Sequence, residues 1–310
     1  MTDMQGLVTS NTGSRYQVLT DDGRTLLCAA KGNFRIRGLR TTNPVAVGDH
    51  VVVNELTDVA YITEVLPRSN YIIRRASNLS KESHILASNI DQVMLVATLM
   101  SPPTSTTFID RFLATAEAYS VPAVLVINKA DLLEADDPLL EAVVYLYRSI
   151  GYRVIVTSTV SGAGLGELSE AVAGKITLLS GNSGVGKSTL INALVPDAHA
   201  QTAAISESHD TGMHTTTFSR MYSLAGEGYL IDTPGVKGFG TIDFDRHEVA
   251  HFFPDIFAVS RNCRYGNCTH THEPGCAVLA AVEEHTIAQS RYASYLSILN
   301  ADVDSTSKYR

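Results

Sequence analysis

The sequence predicts a multidomain chain of 310 residues, with an N-terminal β-barrel, a central parallel α/β domain and a C-terminal helical module around a metal cluster. Three observations carry this prediction. The first eighty residues alternate short β-type runs with turn clusters, continuous apolar runs spaced by helical stretches begin near Asn89, and three of the four cysteines crowd with histidines between Cys263 and Cys276. The expected units are 1–82, 83–244 and 245–310.

In the first unit the strand candidates are Gly6-Leu7-Val8, Tyr16 to Leu19, Thr25 to Cys28, His50 to Val53 and Tyr61 to Val65, separated by turns such as Asn11 to Ser14 and Asp21-Asp22-Gly23. Five short strands with few helical stretches suggest a small barrel, of which the OB-fold is the commonest nucleic-acid-binding kind. Cys28, alone in an apolar strand, reads as a core thiol. The runs Val93 to Ala97, Ala123 to Ile127, Val154 to Val156 and Ile176 to Leu179 follow, continuous as in strands buried on both faces of a parallel sheet. Phe218 to Ser223 and Tyr229 to Ile231 are two more strand candidates, and residues 290–301 read as a closing amphipathic helix.

Charge narrows the function classes. Net charge is -8, which argues against a chain that coats nucleic acid non-specifically. Residues 1–81 nevertheless hold ten Lys/Arg against seven Asp/Glu, +3, leaving -11 for the remainder. No run is long and apolar enough to span a bilayer and Met1-Thr2-Asp3 does not begin a signal peptide, so a cytoplasmic protein without membrane contact is expected.

The chemistry starts at Gly181-Asn182-Ser183-Gly184-Val185-Gly186-Lys187-Ser188, a Gly-x-x-x-x-Gly-Lys-Ser loop between a strand and a helix. Its glycines let backbone N–H groups face phosphates, Lys187 adds a charge at the β and γ phosphates, and Ser188 can ligate Mg²⁺. Residues Gly181 to Ser188, with Thr189, are the expected phosphate contacts. Phosphate loops serve ATP and GTP alike, so the base is read elsewhere. Asn128-Lys129-Ala130-Asp131 ends an apolar strand, where open parallel sheets bind ligands. The Asp131 carboxylate can accept both the N1 and N2 hydrogens of guanine, a pair adenine does not offer; Asn128 ties the loop, the Lys129 stem covers the base, and Ser158 contributes a following guanine loop.

Asp232-Thr233-Pro234-Gly235 follows another strand, with Asp232 expected near Mg²⁺ through water and the Gly235 N–H at the γ-phosphate. Between the two loops lies Gly212-Met213-His214-Thr215-Thr216-Thr217, in which Thr215 or Thr216 completes the Mg²⁺ shell, Thr216 being preferred. Lys187, Thr216 and Gly235 are thus the groups expected to act at the reacting phosphate. Val236 stands where small signalling GTPases carry a water-orienting glutamine, so a low intrinsic rate raised by a partner is expected. Cys263, Cys268, His270 and Cys276 form a closed set of three thiolates and one imidazole, the composition of one structural Zn²⁺ site, with His270 preferred to His272.

The motifs stand in rotated order, the guanine loop preceding the phosphate loop. That order, followed by His214-Thr215-Thr216-Thr217, Asp232 to Gly235 and Cys-x4-Cys-x-His-x5-Cys, resembles the RsgA (YjeQ) family of circularly permuted GTPases over essentially the whole chain. The resemblance implies an OB-fold barrel, a circularly permuted P-loop GTPase domain and a helical zinc-binding domain. It also implies GTP/GDP and Mg²⁺ as ligands, and a ribosome-activated GTPase of late 30S assembly that contacts 16S rRNA. A monomer is expected. Met213, where the family commonly has arginine, departs from the pattern, and Lys31 to Arg37 is the candidate rRNA-contacting loop. The alternative is an RNA-binding module gated by GTP, with hydrolysis incidental.

Overall fold

Alternation and tight turns build the first unit, and the computed structural model describes residues 3–12, 15–30, 44–56, 59–75, 83–195, 198, 219–232 and 244–300. Strands β1 (Asp3–Asn11), β2 (Arg15–Thr20), β3 (Thr25–Ala30), β4 (His50–Leu56) and β5 (Val59–Val65) close a barrel in the order β1-β2-β3-β5-β4-β1, with β3 and β5 parallel. Closure removes every free sheet edge. Val8, Tyr16, Val18, Cys28, Val51, Val53 and Ile62 fill the interior, so Cys28 is the core thiol its strand predicted, pushed up to about 11 by burial.

A hairpin of β6 (Tyr71–Arg75) and β7 (Ser83–Ser88), which no sequence pattern announced, carries the chain from the barrel to the second unit. The buried Asp49 carboxylate locks this passage. Its Oδ1 accepts Arg68 Nε at 2.6 Å and Ser88 Oγ at 2.5 Å, and its Oδ2 accepts Arg68 Nη2 at 2.6 Å and Ala46 N at 2.8 Å.

The four apolar runs become β8 (Gln92–Ala97), β9 (Ala123–Ile127), β10 (Arg153–Val156) and β11 (Ile176–Ser180). With β12 (Arg220–Ser223) and β13 (Tyr229–Asp232) they form the order β10-β9-β8-β11-β13-β12, parallel except for β12. Every residue of β8 is buried, as a central parallel strand requires. Helices α1 (Thr106–Ala118) and α2 (Pro138–Ile150) share one core with Val93, Leu95 and Ala97, whereas α3 (Leu165–Val172) and α4 (Lys187–Leu194) pack with Met94 and Val96 on the other face. Period-two alternation along β8 thus divides the two helical layers. The first two helices have readable starts: Ser105 Oγ accepts Phe108 N, and Asp137 caps α2 ahead of Pro138.

The third unit contains α5 (Pro254–Ser260), α6 (Ala277–Glu283) and α7 (Gln289–Leu299), so the predicted closing helix is present. Phe253, Ile256, Val278, Ile287, Tyr295 and Ile298 pack around Ala114 of α1. The buried face of α7 also carries charge: Arg291 Nη1 reaches Asp110 Oδ1 of α1 at 2.8 Å, Nη2 and Nε reach Asp255, and the guanidinium lies 4.6 Å from the Phe253 ring centre. Tyr147 of α2 donates to the same Asp110 oxygen at 2.8 Å.

Candidate functional site

Parallel register brings the motifs together. Ala97 pairs with Ile127, Ile127 with Val156, Leu95 with Ser180 and Leu179 with Asp232, so five strands end along one edge of the sheet. The loops after β8, β9, β10 and β11 follow from that edge. Crossovers on opposite faces diverge between β8 and β11, which makes this the switch point where open α/β sheets bind ligands.

The phosphate loop runs from Gly181 into α4, whose first residue is Lys187. At Gly186, φ is +95° and a Cβ would stand 2.5 Å from Asn128 Nδ2, so only glycine fits where the guanine loop approaches. Lys187 Nζ donates to Gly181 O at 2.7 Å and Asn182 O at 2.8 Å, placing its ammonium over the loop. Burial lowers the Lys187 pKa, against the pull of Asp232; burial likewise raises that of Asp232, against Lys187. Asp232 Oδ1 is buried and has no hydrogen-bond partner among the described residues. An unpartnered carboxylate oxygen facing a lysine, near the first turn of α4 with Ser188, fits a hydrated Mg²⁺ beside phosphates.

The guanine loop is tied to this arrangement through side chains. Asn128, 2 % exposed, donates from Nδ2 to Val185 O at 2.9 Å and accepts Thr157 Oγ1 at 3.0 Å. Lys129 sits in the left-handed region at φ 62° and donates to Ser101 O at 2.5 Å. Ser158 Oγ donates to Asp131 Oδ1 at 2.5 Å while accepting Val160 N and Ser161 N, so the loop after β10 aims the Asp131 carboxylate. Asp131 itself is exposed at the mouth. Asn128, Lys129, Asp131, Ser158, Gly181 to Thr189 and Asp232 therefore share one edge of the fold. Thr215, Thr216 and Gly235, like His214, Val236 and the Lys31 to Arg37 loop, lie outside the described residues.

A second cluster lies in the helical unit. One donor atom from each of Cys263, Cys268, His270 and Cys276 falls within 4.8 Å of the others. His270 Nδ1 stands 3.5 Å from both Cys263 Sγ and Cys276 Sγ, and those two sulfurs are 4.0 Å apart. Tetrahedral zinc bonds would give about 3.5 Å for S···N and about 3.8 Å for S···S, so the donor set fits that ion. His272 is exposed and turned to Thr271 Oγ1 at 2.8 Å, outside the cluster. Glu273 accepts Thr269 Oγ1 at 2.6 Å, Thr269 N at 2.7 Å and His272 N at 3.1 Å, which hold its carboxyl well below the usual range despite burial, and it also accepts Thr271 N at 3.0 Å. Tyr292 and Tyr295 of α7 donate to His270 O and Thr269 O. The turn carrying His270 is thus held from two sides.

Residues 65–242 match the family described as RsgA GTPase, and residues 5–62 match that described as RsgA N-terminal domain. The chain belongs to the RsgA GTPase family. Curated RsgA relatives span the same length: "Small ribosomal subunit biogenesis GTPase RsgA" of Bacteroides fragilis is 58% identical over 298 residues, 96% of each chain. The protein of that description from Porphyromonas gingivalis is 55% identical over 314 residues, 99% of each. Among solved structures, YjeQ from Thermotoga maritima matches with a TM-score of 0.76 at 34% identity, covering 96% of this chain and 98% of that one. YloQ, described as a circularly permuted GTPase, matches with a TM-score of 0.72 at 30% identity over 98% and 96%.

Three positions of this RsgA-family chain carry no motif signature yet shape its sites. Thr157 orients the Asn128 amide, Ser101 receives Lys129, and Glu273 organises the turn of His270. Only Glu273 left a trace in sequence, as an acid inside a Cys/His segment. The other two act through a hydroxyl and a carbonyl that any loop could supply.

Proposed function

We propose that this chain hydrolyses GTP to GDP and phosphate on the small ribosomal subunit late in its assembly, contacting 16S rRNA and acting as a cytoplasmic monomer. The observation that carries the reading is the tie from Asn128 Nδ2 to Val185 O, which joins a loop able to read guanine to a loop able to hold phosphates. The curated relatives' description as small ribosomal subunit biogenesis GTPases supports the ribosomal setting. No helix among the described residues is long and apolar enough to cross a membrane.

In this reading Asp131 accepts guanine N1–H and N2–H, with Ser158 fixing its other contacts, and the Lys129 stem lies along the base. The backbone from Gly181 to Thr189 wraps the phosphates, and the Lys187 ammonium moves from the Gly181 and Asn182 carbonyls to phosphate oxygens. Ser188, Thr216 and the water shell held by Asp232 would bind Mg²⁺, which when bound neutralises phosphate charge and orients the γ-phosphoryl group. The Gly235 N–H reports the γ-phosphate. Val236 offers no hydrogen bond to the attacking water, so a group on the ribosome completes the site. Cys263, Cys268, His270 and Cys276 would hold one structural Zn²⁺, with no ligand position left for catalysis.

Single-turnover hydrolysis of radiolabelled GTP, with and without purified small subunits, tests the proposal. Stimulation is expected. GTP binding that strengthens association with the subunit while hydrolysis stays unstimulated would instead assign the chain as a GTP-gated RNA-binding module.

A further inference from the structure

The segment after β8 contains no phosphate-binding or base-reading motif, yet it lies between the two loops that do. Thr98 anchors it. This residue is fully buried, and its Oγ1 donates to Pro102 O at 2.5 Å. Its backbone N–H donates to Thr104 Oγ1 at 3.1 Å, and its carbonyl accepts Thr104 N at 2.8 Å. The result is a short closed loop, residues 99–103, pinned at both ends and projecting from the ligand-binding edge.

Each side of that loop touches a different half of the nucleotide site. On one side Ser101 O receives the Lys129 ammonium at 2.5 Å, so the lysine whose stem is assigned to the base is held by this loop. On the other, the Pro102 ring lies against the phosphate loop, with Cδ 3.3 Å from the place a Cβ on Gly184 would take. Ser101 and Pro102 are adjacent in sequence, so a shift of one moves the other. The loop therefore joins base reader and phosphate cradle independently of the Asn128 tie.

We propose that Thr98 is a positioning residue that sets how long nucleotide stays bound, by holding Ser101 and Pro102 as a clasp between Lys129 and Gly184. This rests on the assignment of the edge as a guanine-nucleotide site. A nucleotide spans both loops and leaves only when they loosen together, so fixing them to one rigid segment slows release. Entry requires no such concerted opening of the base and phosphate contacts, and the clasp acts mainly on the off-rate.

The test is stopped-flow release of a fluorescent N-methylanthraniloyl-GDP, chased with excess GDP, from the full-length protein. Thr98→Val removes the hydroxyl and keeps the shape, and should speed release roughly three- to tenfold, the worth of one buried hydrogen bond, with the association rate little changed. Thr98→Ser keeps the hydroxyl and should restore slow release. In a Lys129→Met background Thr98→Val should add much less, because the clasp has lost one jaw. Release from Thr98→Val at the parent rate, or equally fast release from Thr98→Ser, overturns the proposal. Should Thr98→Val fail to fold, Pro102→Ala at the exposed tip takes its place with the same expected direction, and a parent rate there overturns it equally. A parent protein that binds no labelled GDP sinks the nucleotide reading itself, whereas binding with unaltered variant kinetics sinks only the clasp.

Discussion

Replacing Arg291 by methionine should loosen the helical unit from the nucleotide-binding domain. Arg291 is 1 % exposed and bridges Asp110 of α1, which is 0 % exposed, to Asp255 of α5. Methionine keeps much of the apolar stem against Phe253 but removes one charge-assisted bond to Asp110 and two to Asp255. Burial already pushes the Asp110 carboxyl above the ordinary range, against the pull of Arg291, so without the guanidinium its charge is left with the Ser294 and Tyr147 hydroxyls for support. Asp255 keeps partial access to water, which limits the penalty on that side. Breaking a buried pair on one side costs about 3–5 kcal/mol, a large share of what holds a domain together. Guanidinium unfolding followed by circular dichroism should register the loss. Hydrogen exchange should show it concentrated in α7, and with it in the turn that Tyr292 and Tyr295 support. Because most of the cost is an unpaired buried carboxylate, adding Asp110→Asn should return part of it. A loss below about 1 kcal/mol would refute the view that this network seats the helical unit on α1.

Asp131→Asn should lower GTP affinity roughly tenfold or more while gaining XTP binding, because an amide can donate where xanthine presents a carbonyl; unchanged GTP affinity by fluorescent competition would remove the base assignment. Thiol counting should report the metal. Native protein at pH 8 should expose almost no reactive thiol, chelation should release Cys263, Cys268 and Cys276, and only denaturant should add Cys28, whose raised pKa keeps it protonated and whose strand keeps it covered. Asp49→Ala should cost about 3 kcal/mol or more in the barrel unit by leaving Arg68 without its carboxylate, read as a lower unfolding midpoint with nucleotide binding retained.

Local pattern carried far in this chain because its elements are of the kinds that local pattern marks. The run Val93 to Ala97 reads as a central strand since both of its faces are buried, and the glycines of the phosphate loop are required by backbone geometry that no other residue adopts cheaply. The hairpin of β6 and β7 left no such mark. Tyr71-Ile72-Ile73-Arg74-Arg75 alone has neither alternation nor a turn signal, and its place depends on Ile72 and Ala87 packing into the core shared with α1, far along the chain. Arg291 was equally hidden: an arginine in a helix reads as solvated until Asp110 and Asp255 arrive from two other helices.

The chemistry of this chain is legible along the chain itself, since a phosphate loop, a guanine loop and a set of three cysteines and a histidine each need particular residue types at fixed local spacing. How these parts are joined depends on the packed fold. Asn128 meets Val185, Ser101 meets Lys129 and Arg291 meets Asp110 because parallel register and helix packing set residues 28 to 181 positions apart side by side. Such contacts follow from the global arrangement of strands and helices, and no short stretch of sequence contains them.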